Sequence, residues 1–275
     1  MRIINRDNVL PAVFDQVTQS RLFGLGLSLI YFAVAKLGLT FTSVGENITL
    51  IWPPTGLALF ALLVFGVRHW PWIFLGALLT NLSTGINVSA CLVIALGNTL
   101  EAIAGVLLLH LARFDRHLSR IRDVMALVIL AAGISTMLSA SLGVWSLAFF
   151  GVIPWETYHK AWLTWWMGDA MGNLIFAPLL LSWWSAQRQQ IIRQRALEAI
   201  LLLLCLATVV HFVFEGTLDL WASPLALLFL SFPFLIWAGT RFGMHGATTV
   251  VLLIGTVLLV SILKAEGPFA QHKTL

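Results

Sequence analysis

Long apolar runs separated by short polar or basic breaks occupy almost the whole chain. They fall at Leu22 to Leu39 and at about 53–67, 70–87, 90–112, 124–150, 161–184, 197–214, 222–240 and 244–264. A membrane-spanning helix takes about 20 residues, so runs of this length at this frequency predict helices crossing a bilayer in succession. The fold class is therefore an all-α, polytopic transmembrane helical bundle of about eight to nine spans. Residues 1–20 form a polar leader, 21–270 the integral membrane domain, and 271–275 a short tail. The first run sits behind that long leader and exceeds the length of a signal-peptide core, so it reads as a retained span although Ala33, Val34 and Ala35 resemble a cleavage site.

Composition agrees. Of 275 residues, 59% are hydrophobic and only 10% charged, against about 25% charged in soluble domains. A catalytic domain outside the membrane has no room in such a chain. The net charge of +4 does not point to nucleic acid, because the basic residues have a topological explanation. With the N-terminus in the cytoplasm, the cytoplasmic segments hold Arg2, Arg6, Arg21, Arg68, Arg113, Arg116, Arg120, Arg122, Arg188, Arg193, Arg195 and Arg241. The outer segments hold only Lys160, Lys264 and Lys273, with Lys36 inside the first span. Positive flanks are retained on the cytoplasmic side, so the asymmetry sets orientation in the inner membrane. Tryptophans bracket the same spans: Trp70, Trp72, Trp183, Trp184 and Trp237 near the inner boundary, Trp52, Trp155, Trp162 and Trp221 near the outer one. Nine spans would leave the C-terminus outside; either one span is miscounted or the chain stops before a final one.

The few polar groups inside the spans carry the functional signal. Ionisable side chains at mid-span cost about 2.5–3.5 kcal/mol on insertion scales and face a bundle interior or a wet cavity. Glu101 and Asp169 lie well inside the fourth and sixth runs, with Asn81, Asn98, Asn173 and Lys36 at the middle or outer half of theirs. Helical spacing puts Asn98, Glu101, Ala102 and Gly105 on one stripe, and Trp165, Gly168, Asp169, Gly172 and Asn173 on another. Small residues beside acidic ones suit close packing around a buried polar site. Purely structural interhelical hydrogen bonds are the alternative. A second signal is Trp52-Pro53-Pro54-Thr55, where consecutive prolines fit only a helix start. That start is expected below the outer surface, its positive dipole end offered to an anionic or polar ligand; an interfacial proline cap is the simpler reading. Cys91 and Cys205 read as packed side chains. His110 and His211 have no partner at ligand spacing, the sequons at Asn47, Asn81 and Asn87 read as chance, and the arginines at 113–122 as topogenic charge with lipid headgroups a secondary contact. No metal site, cofactor or catalytic set is expected.

These motifs resemble a known family. Ile51-Trp-Pro-Pro-Thr-Gly-Leu57, Trp70-Pro-Trp-Ile-Phe-Leu-Gly76 with Asn81, Gly97-Asn-Thr-Leu-Glu-Ala-Ile-Ala-Gly105, Trp166-Met-Gly-Asp-Ala-Met-Gly172 with Pro178, and Gly267-Pro-Phe269 are similar, in order and spacing over about residues 20–270, to the type-one MASE domain. That resemblance implies a bacterial membrane sensor domain feeding a diguanylate cyclase, phosphodiesterase or histidine kinase. Such an output would be a missing C-terminal domain or a separate cytoplasmic partner. The expected function is signal input without catalysis. A small polar or amphipathic ligand would sit in the outer half among Trp52, Pro53, Pro54, Thr55, Asn81, Asn98, Glu101, Asp169 and Asn173. Membrane lipids are the other expected contact, and homodimerisation is left open. A small-solute transporter is the competing class, and a scaffold whose polar stripes only pack helices is the third.

Overall fold

The computed structural model describes residues 20–40, 42–44, 48–184, 195–214 and 229–264. Eight longer helices dominate them: α1 Arg21–Leu39, α2 Pro53–Phe65, α3 Trp70–Leu82, α4 Val88–Leu111, α5 Ile121–Phe149, α6 Tyr158–Trp184, α7 Ala196–Phe214 and α8 Phe232–Lys264. By length and composition α1, α4 and α5 can cross a membrane. Residues 1–19 of the leader, the 185–194 connector, Trp221, the tail and the basic residues Arg2, Arg6, Arg188, Arg193 and Lys273 lie outside the described residues, as does Asn47.

The architecture of the described residues is all-helical, as expected, with one short antiparallel hairpin, Thr42–Val44 (β1) on Ile48–Thr49 (β2), between α1 and α2. One expectation is corrected. The third apolar run does not continue to residue 87. Ser83 and Thr84 turn their side-chain hydroxyls onto the Thr80 and Asn81 carbonyls, and Gly85 takes φ +77°, so α3 stops at Leu82. The break expected between the last two runs falls at Gly243, whose φ of 62° and ψ of −146° separate two helical stretches within α8. The part of the eighth run at 222–228 is outside the described residues.

Small side chains draw the helices together. Ala35, Ala61, Ala77, Ala95, Ala131 and Ala177 are fully buried, while large apolar residues such as Leu22, Leu107, Leu111 and Ile121 face outward. Water gives no reason for such an arrangement; lipid does, since it is as apolar as leucine and helices in it associate by close backbone approach. The tightest approach is between α2 and α6. A Cβ on Gly168 would lie 2.3 Å from the Thr49 carbonyl oxygen, one on Gly172 2.0 Å from that of Trp52, and one on Gly56 2.4 Å from that of Gly172. Three glycines thus let the unwound approach to α2 and its first turn lie directly on α6. The Trp52 N–H completes the seam by donating to the Gly168 carbonyl at 2.9 Å.

The two ends of the bundle differ chemically. At one end Phe23, Phe60, Phe65, His69 and Trp184 form edge-to-face contacts, and the Trp72 ring lies over Gly24. Arg21, Arg68 and the arginines of the α4–α5 loop share that end, since α4 runs back to meet α2 at Leu63 and Leu109. The hairpin and Trp52, which touches Gly38, occupy the other.

Candidate functional site

The helix start at Pro53 positions the site. Pro53 and Pro54 have no N–H, so the first turn of α2 leaves few free donors, and Thr55 supplies one instead. Its hydroxyl donates to Asp169 Oδ1 at 2.9 Å. The positive end of α2 therefore faces a carboxylate of the chain itself, which corrects the expectation that this end is open to an anionic ligand. Asp169 reaches it because α6 is held against α2 by Gly168 and Gly172.

From Asp169 a polar cluster spreads through the middle of the bundle. Glu101 of α4 lies against Asp169, and both carboxyls approach Ser139 of α5. The Ser139 hydroxyl donates to Asn98 Oδ1 at 2.8 Å and accepts from Trp165 Nε1 at 3.1 Å. Asn98 Nδ2 donates in turn to the Tyr31 hydroxyl at 3.3 Å, and Tyr31 also meets the Trp52 side chain. Five helices, α1, α2, α4, α5 and α6, thus contribute to one network at mid-helix depth. Asp169 and Glu101 are each only 1% exposed, yet Asp169 Oδ2 and Glu101 Oε1 have no hydrogen-bond partner. A buried carboxylate oxygen without a partner is costly, by several kcal/mol if charged.

Above this cluster lies a cavity of about 30 Å³, lined by Trp52, Thr80, Asn81, Asn98, Trp165 and Asp169, and reaching Leu39, Thr84 and Ile86 at the hairpin end. That is space enough for water or a small ion.

The structure brings Trp52, Thr55, Asn98, Glu101 and Asp169 together and leaves the other candidates at its margin. Asn81 lines the mouth, its amide donating to Ala77 of its own helix. Pro53 and Pro54 form the helix start; Pro53 lines a separate apolar groove between α1, α6 and α8. Asn173 is displaced one turn along α6, where its amide donates to the Ala131 carbonyl at 3.0 Å, away from the cavity. Lys36 leaves the cluster altogether, reaching Ser83 at the surface. Tyr31 and Ser139 were not singled out in the sequence. Tyr31 had a usable signal, being one of only two tyrosines and buried in a span where its hydroxyl needs a partner. Ser139 had none, since serines recur along that helix.

Outside the membrane helices two groups are shifted. Burial, with Arg68 adjacent, lowers the proton affinity of His69, and hydrogen bonds from His117 and Ser119 hold Asp115 well below the usual carboxylate range.

A bundle with lipid-suited surfaces and a buried polar centre defines the class: a helical membrane domain. The MASE1 family model matches residues 24–274, and the chain belongs to that family of membrane-associated sensory domains. No curated protein and no solved structure matches the chain.

Proposed function

We propose that this chain is the signal-input domain of a bacterial signalling system in the inner membrane. Its N-terminus is cytoplasmic and its output is a cytoplasmic domain or partner. The observation that carries the reading is the five-helix polar network closed around Asp169, because a change at its centre alters contacts of α1, α2, α4, α5 and α6 together. A ligand shifts a conformational equilibrium only by binding its two states unequally. A polar cluster shared among helices provides that inequality. The cavity opens toward the hairpin end, which in this orientation faces away from the arginine-rich cytoplasmic end.

The test is the full chain fused at its C-terminus to a cytoplasmic reporter enzyme, with output followed as the external medium is varied. Output that varies in the wild type and is constant in Thr55→Val and Asp169→Asn supports the reading. An invariant wild-type output, or variants that respond like wild type, overturns it.

A further inference from the structure

We infer that the cavity floored by Asp169 binds one small monovalent cation, an alkali ion of sodium's class, through oxygen donors alone. The inference rests on the reading of this cavity as the sensing site and names what occupies it. Two buried carboxyls, Asp169 and Glu101, lie against each other, each with an oxygen that no donor satisfies. Asp169 lines the cavity directly. Two carboxyls in contact at low dielectric need a positive charge between or beside them, either a proton or a cation. No Lys, Arg or His is among the residues lining the cavity, and Lys36, the nearest candidate in sequence, is turned to Ser83.

The remaining donors select the ion. Asn98, Thr49 and Thr80 line the same cavity; Asn98 Oδ1 accepts from Ser139 and keeps a second lone pair, and each threonine hydroxyl, having donated its proton to a carbonyl, keeps lone pairs for a cation. All are hard oxygen ligands, which disfavours copper, zinc and other soft metals. Among the described residues there is no group of three His, Cys, Asp or Glu able to hold a metal. Magnesium demands near-ideal octahedral geometry and is bound through one or two carboxylates plus substrate phosphates, a set this wall of one carboxylate and neutral oxygens does not match. Calcium takes six to eight oxygens, several of them from carboxylates, and Asp169 is the one carboxylate among the residues lining this cavity. A bare alkali ion fits both the volume and the neutral-rich donor set. The positive end of α2 and the Thr55 hydrogen bond compete for the Asp169 charge, and both weaken binding of the cation.

Trp52 and Trp165 on the cavity wall provide a built-in readout. The full chain in lipid nanodiscs is titrated with sodium, potassium, lithium and choline chlorides at constant ionic strength and pH, and separately with calcium chloride. Tryptophan emission and thermal midpoint are followed, and radiolabelled sodium binding is measured directly. The expected result is a saturable response to sodium that choline does not produce. Asp169→Asn abolishes it, Glu101→Gln weakens it at least tenfold, and the surface change Thr164→Val leaves it intact. An equal response to choline, a response to calcium alone, or sodium binding unchanged in Asp169→Asn overturns the inference. If Asp169→Asn does not fold, absence of saturable labelled-sodium binding to the wild type does so. Sodium binding with a silent reporter fusion would instead remove the sensing role and leave the site.

Discussion

At the scale of single residues, the site depends on atoms that a helix cannot satisfy by itself. Asp169 has one oxygen held by Thr55 and one without a partner, so the two halves of its carboxylate have different roles. Thr55→Val removes a hydrogen bond to a charged or partly charged acceptor, worth about 1.5–3 kcal/mol. A fall in the thermal midpoint of the nanodisc-embedded protein is the expected outcome, larger than for the exposed Thr164→Val. His69 gives a pH prediction. Its folded form holds a proton less readily than the unfolded chain, so the unfolded state binds more protons on acidification and stability rises with pH. Its contribution is intact above the ordinary imidazole value of about 6.5 and is lost as the pH falls below it. Midpoints measured from pH 8 to 5 should decline in that window and decline less in His69→Gln.

Between helices, backbone proximity decides what is tolerated. Gly172→Ala would drive a methyl group to 2.0 Å from a backbone carbonyl oxygen that cannot move without shifting the whole approach to α2. Overpacking of this kind costs about 1–3 kcal/mol or more. Gly26, on the same class of apolar helix but with open space around it, is the control. Gly26→Ala should be neutral or slightly stabilising, since alanine is the better helix former by up to about 1 kcal/mol. Comparing expression and thermal midpoint of the two variants separates a packing requirement from a general dislike of alanine.

Helix α5 shows a second element-scale device. Over Leu127–Ser135 its hydrogen bonds widen to the π pattern, and α6 donates to this segment twice, from Trp166 Nε1 to the Gly133 carbonyl at 2.9 Å and from Asn173 to that of Ala131. π segments are rare and concentrate at functional sites. Because both donors brace one segment, Trp166→Phe and Asn173→Ala should each lower stability by about 0.5–1.5 kcal/mol. Their combined loss should depart from the sum by about 0.5 kcal/mol or more, as a double-mutant cycle of thermal midpoints would show.

For the molecule as a whole, the division into an arginine-rich, aromatic end and a hairpin end is the largest asymmetry. If the arginine-rich end is cytoplasmic, single cysteines introduced at Arg120 and at Trp155 of a Cys91→Ala, Cys205→Ala background will behave oppositely. The residue-155 thiol will react with a membrane-impermeant maleimide in intact cells, and the residue-120 thiol only after lysis. The reverse pattern would invert the bundle and place the cavity mouth on the cytoplasmic side.

Much of this was legible before any coordinates. Apolar periodicity determined where helices lie, because in a bilayer every backbone polar group must be satisfied within the segment. The insertion cost of charge made Glu101 and Asp169 conspicuous for the same reason. The Gly168/Gly172 stripe was legible as a close-packing surface. The sequence could not indicate what lay across that surface. Only the tertiary structure set the start of α2 against α6, turned its positive end onto Asp169, recruited Tyr31 and Ser139, and excluded Asn173 and Lys36. Those outcomes depend on distances of a few tenths of an ångström between helices far apart along the chain, and hydropathy, which averages over a helix, holds no record of them. The cavity belongs to the same class: residue types determined that a polar centre exists, and packing alone shaped the space beside it.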